Sequence, residues 1–169
     1  MAADIAAKNS ILSADAATRR IRRMAFEVAE QHVDAESLVL LGIEGNGTIV
    51  ATQLAQELAT ILPVPVTTGT VRINKKAPLD ARLDPAIPLE GRVVLLVDDV
   101  SNTGKTLLYA LRPLLEFQPR AIRTLVLVER AHKLFAVQPD FVGLSVSTTL
   151  QEHITVETDG QTITGAFLH

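Results

Sequence analysis

The chain has 169 residues, a net charge of −3 and no cysteine. Its length suffices for one domain with a proper hydrophobic core, and a single domain over residues 1–169 is the expectation. The composition excludes disulfides and thiolate chemistry, and the charge argues against an extensive nucleic-acid-binding surface, though not against a local basic patch.

No apolar run approaches the roughly 20 residues that span a membrane. The N-terminus is rich in alanine, but it carries Asp4 and Lys8 and has no signal-peptide core. These features predict a cytoplasmic protein without membrane contact.

The first helix is predicted to start after Ser13, a suitable N-cap, and to run to about residue 31. Residues 1–12 form a lead-in to it. Apolar residues recur at helical spacing on one face: Ala17, Ile21, Met24, Ala25 and Val28. The opposite face carries Arg19, Arg22, Arg23 and Phe26. Such a face is suited to neutralising and stacking on RNA. The alternative is a solvated face on which Phe26 makes a subunit contact.

A buried strand is predicted over residues 37–43, followed by a glycine turn and a helix over residues 48–59. The turn consists of Glu44, Gly45, Asn46 and Gly47. A functional loop and a plain tight connection both fit this local sequence.

Residues 64–73 alternate as a strand, and residues 74–87 then show little periodicity. The latter segment contains Lys75, Lys76 and two prolines. Loops longer than a dozen residues within a compact domain are usually functional or mobile. A flexible loop is therefore predicted here, with a solvated excursion as the alternative.

Residues 93–106 read VVLLVDDVSNTGKT and are the most informative stretch. Five apolar residues, typical of a strand buried on both faces of a parallel sheet, precede Asp98 and Asp99. A turn rich in hydroxyl groups then opens a helix, where unpaired backbone N–H groups and the helix dipole favour phosphate. Carboxylates do not bind phosphate, so Asp98 and Asp99 must hold hydroxyl groups or a metal. The stretch predicts a ligand with phosphate at one end and a polyol beside it.

A P-loop nucleotide-binding site is the main competing interpretation, because TGKT follows a buried strand. The first glycine of that motif would fall at residue 99, which is Asp99. A carboxylate there would point toward the phosphates, which excludes this interpretation.

The remaining elements complete the predicted fold. The helix over residues 104–117 contains Pro113, which should kink or shorten it. Strands are predicted over residues 122–128 and 141–146, and a hairpin over residues 153–163. The succession predicts an α/β fold: a doubly wound, mainly parallel sheet with helices on both faces, a flexible loop and a C-terminal β-hairpin. The histidines are too scattered for a metal cluster, and His32, His132 and His153 are expected in the core.

The stretch VVLLVDDVSNTGKT closely resembles the motif with which type I phosphoribosyltransferases bind phosphoribosyl pyrophosphate (PRPP). Four further segments, RMAFEVAE, LVLLGI, LVLVERAHK and DFVGLSVSTT, occur in the order and spacing of the pyrimidine-operon regulator/uracil phosphoribosyltransferase family. The resemblance covers most of residues 14–157.

The resemblance implies a role for each matching residue. Asp98 and Asp99 would hold the ribose hydroxyls, and Arg130, with Glu129, would lie at the pyrophosphate end. The 5-phosphate would be bound by Ser101, Asn102, Thr103, Gly104, Lys105 and Thr106. The loop from Glu44 to Gly47 would lie beside the pyrophosphate. Lys75 and Lys76 would belong to a lid, and backbone groups of Val142, Gly143 and Leu144 would face a pyrimidine base.

The reaction implied is displacement of pyrophosphate from ribose C1 by a nitrogen of a nucleobase such as uracil. Mg²⁺ is the implied cofactor, carried mainly by PRPP, with Asp98 and Asp99 as its candidate protein ligands. Two departures stand out. The family's pyrophosphate loop commonly has a basic residue, whereas this chain has Glu44 and Asn46, so Glu44 must meet pyrophosphate through the metal or turn away. Leu144 and Ser145 replace more polar residues, which leaves the base open.

An RNA-binding, nucleotide-sensing regulator of pyrimidine genes is the second hypothesis. It rests on the first helix, where Arg22, Arg23 and Phe26 match positions of the regulator's RNA face. RNA and a second copy of the chain, in a homodimer, are the candidate macromolecular partners. Catalysis is preferred, because one helix in a chain of net charge −3 gives limited phosphate contact.

Overall fold

The computed structural model describes residues 8–74 and 76–169. The strands are β1 (Asn9–Ser13), β2 (Leu38–Ile43), β3 (Val66–Arg72), β4 (Arg82–Asp84), β5 (Val93–Ser101), β6 (Ala121–Arg130), β7 (Phe141–Val146), β8 (Ile154–Thr158) and β9 (Ile163–Leu168). The α-helices are α1 (Ala14–Gln31), α2 (Asn46–Ile61) and α3 (Lys105–Ala110), and short 3₁₀ helices span Pro78–Asp80 and Arg112–Glu116.

The larger sheet has six strands in the order β4-β3-β2-β5-β6-β7, and all of its pairings are parallel except that of β4 with β3. From β2 the chain moves outward to β3 and then returns to place β5 on the other side of β2. The loops that follow β2 and β5 therefore separate at the carboxyl edge of the sheet. This is where doubly wound folds leave a crevice for a ligand.

Alternate residues of the central strands enter two cores. Leu38 and Leu40 of β2 pack with helices α1 and α2, whereas Val39 and Leu41 pack on the other face with α3. All four are fully buried, as the continuous apolar pattern of a two-sided strand requires. The predicted doubly wound sheet with helices on both faces is confirmed.

Helix α1 begins as predicted, because the Ser13 side chain accepts a hydrogen bond from the backbone N–H of Ala16. The apolar face of α1 is buried, including Ile21 and Met24. Burying one such side chain contributes about 1.5–3 kcal/mol. Because this face packs on α2 and β7, the helix is fixed against the sheet.

The predicted lead-in, residues 1–12, contains a strand in the part that the structure describes. Residues 9–13 form β1, which pairs antiparallel with β9, and β8 completes a second sheet in the order β1-β9-β8. The predicted C-terminal hairpin is confirmed as β8 and β9. Sequence patterns did not reveal β1 because its partner β9 lies at the other end of the chain.

Two segments differ from their predictions. Residues 74–87 are more structured than predicted, and the helix after the central motif is shorter. Residues 74–87 contain a 3₁₀ turn and strand β4, and Ala81 and Ile87 are buried in the second core. The helix predicted over residues 104–117 is only six residues long, and a 3₁₀ helix with Pro113 in its first turn follows it. The predicted effect of Pro113 is confirmed, because proline removes the donor that a continuous helix needs.

Gly42 fixes the distance between β2 and the start of α2. A Cβ at this position would lie 2.6 Å from the Cα of Thr48 and 2.7 Å from the carbonyl oxygen of Gly47. We expect Gly42→Ala to lower the free energy of unfolding by about 2–3 kcal/mol, because backbone must move. Gly69→Ala is the control, because its closest contact is the end of the Ile87 side chain. Urea denaturation measures both, and equal losses would contradict the prediction.

The histidines differ from the expectation that three of them lie in the core. His32 is buried, whereas His132 and His153 are exposed. His132 follows β6, and His153 precedes β8. The expectation is therefore correct for His32 and wrong for His132 and His153.

His32 should make stability depend on pH. Burial lowers its pKa below the ordinary value, and the nearby Arg123 adds to this effect. The unfolded chain therefore binds a proton more readily than the folded chain does. Stability should be complete above the ordinary histidine pKa of about 6.5 and should fall as the pH drops below it. Urea denaturation at pH 7.5 and 5.5 measures this loss, which His32→Gln should reduce; an unchanged loss in that variant would contradict the assignment.

Candidate functional site

An open cavity of about 460 Å³ lies at the carboxyl ends of β2 and β5. Three segments form its walls: residues 43–46, residues 98–107 apart from Lys105, and residues 153–156 of the second sheet. The central motif therefore supplies most of one wall. The second sheet covers the cavity from the opposite side.

Asp98 and Asp99 both line this cavity at the end of β5. Asp98 is buried, and its Oδ1 accepts the backbone N–H of Asp99 at 2.9 Å. Asp99 is half-buried, and its Oδ1 accepts the N–H of Val100 at 2.8 Å. These bonds fix both carboxylates at the cavity wall. Carboxylate oxygens held in this way are acceptors suited to the hydroxyl groups of a sugar.

Asn46 connects three parts of the site. Its Nδ2 donates to Oδ2 of Asp99 at 3.2 Å and to the carbonyl oxygen of Val156 at 2.9 Å. It therefore joins the loop after β2 to the acidic pair and to β8. A sugar hydroxyl that donates to Asp99 would lie beside the amide group of Asn46, since a carboxylate accepts several hydrogen bonds.

The amino end of α2 opens into the cavity. Gly45 and Asn46 line the wall, and the helix has neither a side-chain cap nor an acidic residue in its first turn. The 16 residues of α2 give this end a partial positive charge with unpaired N–H groups. Gly47 lies behind the wall, where a Cβ would be 2.9 Å from the carbonyl oxygen of Val97. The predicted pyrophosphate loop thus presents backbone donors, without a basic side chain.

The loop after Asp99 presents polar groups to the same cavity. The Ser101 hydroxyl is buried, and it has no hydrogen-bond partner within the part of the chain that the structure describes. The carbonyl oxygen of Thr103 accepts from the N–H groups of Leu134 and Phe135 at 3.0 and 3.1 Å. Because the C=O and N–H of a trans peptide point in opposite directions, the Gly104 N–H faces away from that pair. Gly104 has a φ of 85°, which other residues rarely adopt.

The structure separates Lys105, but not Asn102, from the rest of the predicted phosphate loop. The amide of Asn102 reaches the carbonyl of Ile154 at 3.5 Å, so this side chain faces the second sheet. Lys105 is exposed and does not line the cavity, whereas Thr103, Gly104 and Thr106 do. Helix α3 is also short, and its dipole adds less than the predicted helix would. Backbone and hydroxyl groups therefore carry this part of the site.

Glu44 turns toward a second, smaller cavity. Its Oε1 accepts a hydrogen bond from Nη1 of Arg72 at 3.0 Å, and Nε of Arg72 donates to Asp84 at 2.5 Å. Glu44 was expected either to meet pyrophosphate through a metal or to turn away from it. The structure shows the carboxylate turned toward Arg72.

Several predicted residues lie away from the main cavity. Arg130 donates to the carbonyl of Thr149 and is absent from the cavity wall. The carbonyl groups of Val142 and Gly143 in β7 accept hydrogen bonds from Arg23, and that of Gly143 also from Arg20. Leu144 packs against the first core. Two strands separate β7 from β2, so the geometry does not favour residues 142–144 as part of this cavity.

Within the predicted lid, Lys76 is exposed, and its N–H donates to the Asn74 side chain at 3.0 Å. It does not line the main cavity. Lys75 lies outside the described residues. The role of both lysines therefore stays a prediction.

Glu129 forms a buried polar network behind the phosphate loop. Its carboxylate accepts from Lys133 at 2.6 Å, from Gln138 at 3.1 Å and from Ser145 at 3.1 Å. The side chains of Glu129 and Lys133 are 9% and 7% exposed. The network fixes residues 131–138, the segment that binds the carbonyl of Thr103. Glu129 therefore supports the cavity wall from outside it.

The sequence pattern missed two contributions to the site. Residues 153–156 line the cavity, although no role at the site was predicted for the C-terminal hairpin. Arg72 pairs with Glu44 beside the cavity. A signal existed for Arg72, because it ends a strand parallel to β2, and parallel strands end at the same edge. No local signal could place residues 153–156, since β8 belongs to a different sheet.

The predicted RNA face is exposed but not basic. Arg19, Arg22, Arg23 and Phe26 lie together on α1, and Phe26 is 46% exposed. Each arginine has an acidic partner: Asp15 for Arg19, Glu57 for Arg22 and Glu27 for Arg23. The positive charge of this face is therefore largely neutralised.

The donor set of the cavity fits a metal ion that a ligand brings with it. No group of three or more His, Asp or Glu side chains able to hold a metal occurs among residues 8–74 and 76–169. The carboxylates of Asp98 and Asp99 do face the cavity. Mg²⁺ is commonly bound by one or two carboxylates together with substrate phosphates, so these two residues fit it.

None of the described helices is long and apolar enough to cross a bilayer.

Comparisons with known proteins agree with this geometry. Residues 8–159 match the phosphoribosyl transferase domain family. "Bifunctional protein PyrR" of Microcystis aeruginosa is 34% identical, with 89% of this chain and 92% of that protein covered, and its namesake from Synechocystis sp. is 36% identical, with 86% and 87% covered. The hypoxanthine phosphoribosyltransferase of Trypanosoma cruzi shares the fold, with a TM-score of 0.75 and 18% identity, and the match covers 94% of this chain and 97% of that chain. With its β5 motif at the switch point of a doubly wound sheet, the chain belongs to the phosphoribosyltransferase domain family.

Proposed function

We propose that this protein transfers the ribose-5-phosphate group of PRPP to a pyrimidine base, uracil in the first instance, and releases pyrophosphate, in the cytoplasm. The single observation that carries the proposal is the cavity at the ends of β2 and β5. It combines two fixed carboxylates with a polar loop on one side and a helix amino end on the other. The resemblance of the sequence to the pyrimidine-operon regulator/uracil phosphoribosyltransferase family supports the pyrimidine assignment.

Each end of PRPP has a complementary surface in this arrangement. The 5-phosphate would lie in the loop of Ser101, Thr103, Gly104 and Thr106, where the Ser101 hydroxyl lacks a protein partner among the described residues. The ribose hydroxyls would donate to Asp98 and Asp99, beside the amide of Asn46. The pyrophosphate would lie against the amino end of α2.

The base would bind between the ribose and the second sheet. Residues 153–156 form that wall and lie beside the acidic pair. This placement differs from the expectation for residues 142–144, whose carbonyl groups at Val142 and Gly143 already accept bonds from α1. Because residues 153–156 line the cavity and residues 142–144 do not, they are the candidates for contact with the base.

The protein's contribution to the reaction is positioning and charge stabilisation. As pyrophosphate leaves, positive charge develops on the ribose, and the carboxylates of Asp98 and Asp99 stabilise it while they orient the sugar. Closure of the predicted lid around Lys76 over the site would exclude water. Asp98 and Asp99 would hold Mg²⁺ together with PRPP, and the metal would supply charge neutralisation at the leaving group. No covalent nucleophile is needed.

The test is pyrophosphate release from PRPP in the presence of Mg²⁺ and a panel of free bases. We expect release with uracil. Release with another base, and none with uracil, would overturn the base assignment and keep the reaction class. Calorimetry with PRPP is the second measurement, and a lack of binding would overturn the class.

RNA binding is the second candidate, favoured by one observation: Phe26 is exposed among three arginines on α1. The test is binding of a pyrimidine-gene leader RNA at several salt concentrations, with and without UMP. Tight, salt-dependent binding that UMP strengthens would place regulation above catalysis. Because all three arginines have acidic partners, we expect weak binding.

A further inference from the structure

Glu44 places a negative charge beside the subsite proposed for pyrophosphate. It is the first residue after β2, and its backbone N–H donates to the carbonyl of Val71 at 2.9 Å, which fixes where its side chain begins. Glu44 lines the main cavity together with Gly45 and Asn46. A free carboxylate at this position would repel a pyrophosphate group.

The same residue lines a second cavity of about 330 Å³. The other residues of that cavity are Arg72, Ile73, Asn74, Asp80 and Arg82. The Glu44 side chain, which is about half exposed, can therefore lie on either side of the boundary between the two cavities. Its ion pair decides which side it takes.

Arg72 holds the Glu44 carboxylate on the side of the second cavity. The guanidinium is itself held in place, because its Nε donates to Asp84 of β4 while Nη1 donates to Glu44. Asp84 first, and then Glu44, raise the pKa of Arg72 above its ordinary value, so the cation is retained. The planar guanidinium serves two carboxylates at once, which a lysine could not do with the same geometry.

We propose that Arg72 is a positioning residue for pyrophosphate binding, which acts by holding the Glu44 carboxylate away from the pyrophosphate of PRPP. The inference rests on the proposed function. It explains how a loop without a basic side chain, and with an acidic one, accepts an anion. Arg72 acts through Glu44 and need not contact the ligand.

The test is a double-mutant cycle measured by calorimetry with two ligands, PRPP with Mg²⁺ and ribose 5-phosphate. Ribose 5-phosphate has the 5-phosphate and the hydroxyl groups but lacks pyrophosphate. We expect Arg72→Ala to weaken PRPP binding about tenfold, since Glu44 is then free to face the pyrophosphate. Binding of ribose 5-phosphate should change by less than about twofold, because its phosphate lies at the other end of the site.

Removing the charge of Glu44 should reverse the effect. Glu44→Gln alone should bind PRPP about threefold more tightly, and Arg72→Ala with Glu44→Gln should recover most of the tenfold loss. Arg120→Ala is the matched control, because Arg120 is equally exposed and paired with one carboxylate, Asp34, at the opposite end of the sheet. It should leave both affinities unchanged. If Arg72→Ala does not fold, Arg72→Gln repeats the cycle.

Two results would overturn the inference alone. One is wild-type affinity for PRPP in Arg72→Ala. The other is a double variant as weak as Arg72→Ala, which would mean that Arg72 contacts the pyrophosphate itself. A wild-type chain that binds neither PRPP nor ribose 5-phosphate would overturn the proposed function, and the inference with it.

Discussion

Asp99→Asn is expected to weaken PRPP binding by about 10- to 100-fold and to lower transferase activity at least as much. Asp99 faces the cavity with one oxygen fixed by the N–H of Val100 and the other shared with Asn46. A hydroxyl that donates to a carboxylate contributes about 1.5–3 kcal/mol, and an uncharged amide oxygen retains only part of this. Calorimetry and pyrophosphate release measure the two effects.

The control for Asp99→Asn is Asp15→Asn, which removes an exposed carboxylate at the start of α1. We expect that variant to bind PRPP as the wild type does. Binding of inorganic phosphate by Asp99→Asn should also be unchanged, since phosphate needs only the loop from Ser101 to Thr106. Unchanged PRPP affinity in Asp99→Asn would mean that this carboxylate does not hold the ribose.

Glu129→Gln is expected to lower the free energy of unfolding by about 3 kcal/mol, because it leaves the buried ammonium of Lys133 without a counter-charge. For a protein of this size, the melting temperature should fall by roughly 6–12 °C. PRPP affinity should fall too, since the segment that binds the carbonyl of Thr103 loses its anchor. Thermal denaturation and calorimetry provide the two readings.

Pairing this change with Lys133→Met tests the cause. The double variant replaces an ion pair with two uncharged side chains, so it should regain most of the lost stability. Asp15→Asn again serves as the control, because the exposed pair of Asp15 and Arg19 should contribute less than about 1 kcal/mol. If Glu129→Gln loses less than about 0.5 kcal/mol, burial of this pair is not what stabilises residues 131–138.

The sequence by itself determined the fold class, the N-cap of α1, the effect of Pro113 and the position of the central motif. All of these depend on patterns within one or two dozen residues. A buried parallel strand reads as a continuous apolar run, a cap is one side chain next to a helix, and proline acts on its own turn. The two carboxylates of that motif line the cavity because a strand followed by a polar turn ends at the ligand-binding edge.

The tertiary structure alone decided which distant residues complete the site. Strand β1 needs β9 as its partner, Asn46 joins Asp99 to Val156, and Arg72 turns Glu44 aside. Arg130 and residues 142–144 lie away from the cavity in the structure. This could not be predicted, although Arg130 ends β6 and residues 142–144 belong to β7 of the same sheet. The physical reason is that strand order sets the distance from the β2–β5 crevice, and packing against α1 decides which carbonyl groups are already bonded. Neither the strand order nor that packing can be predicted from any local stretch of the chain.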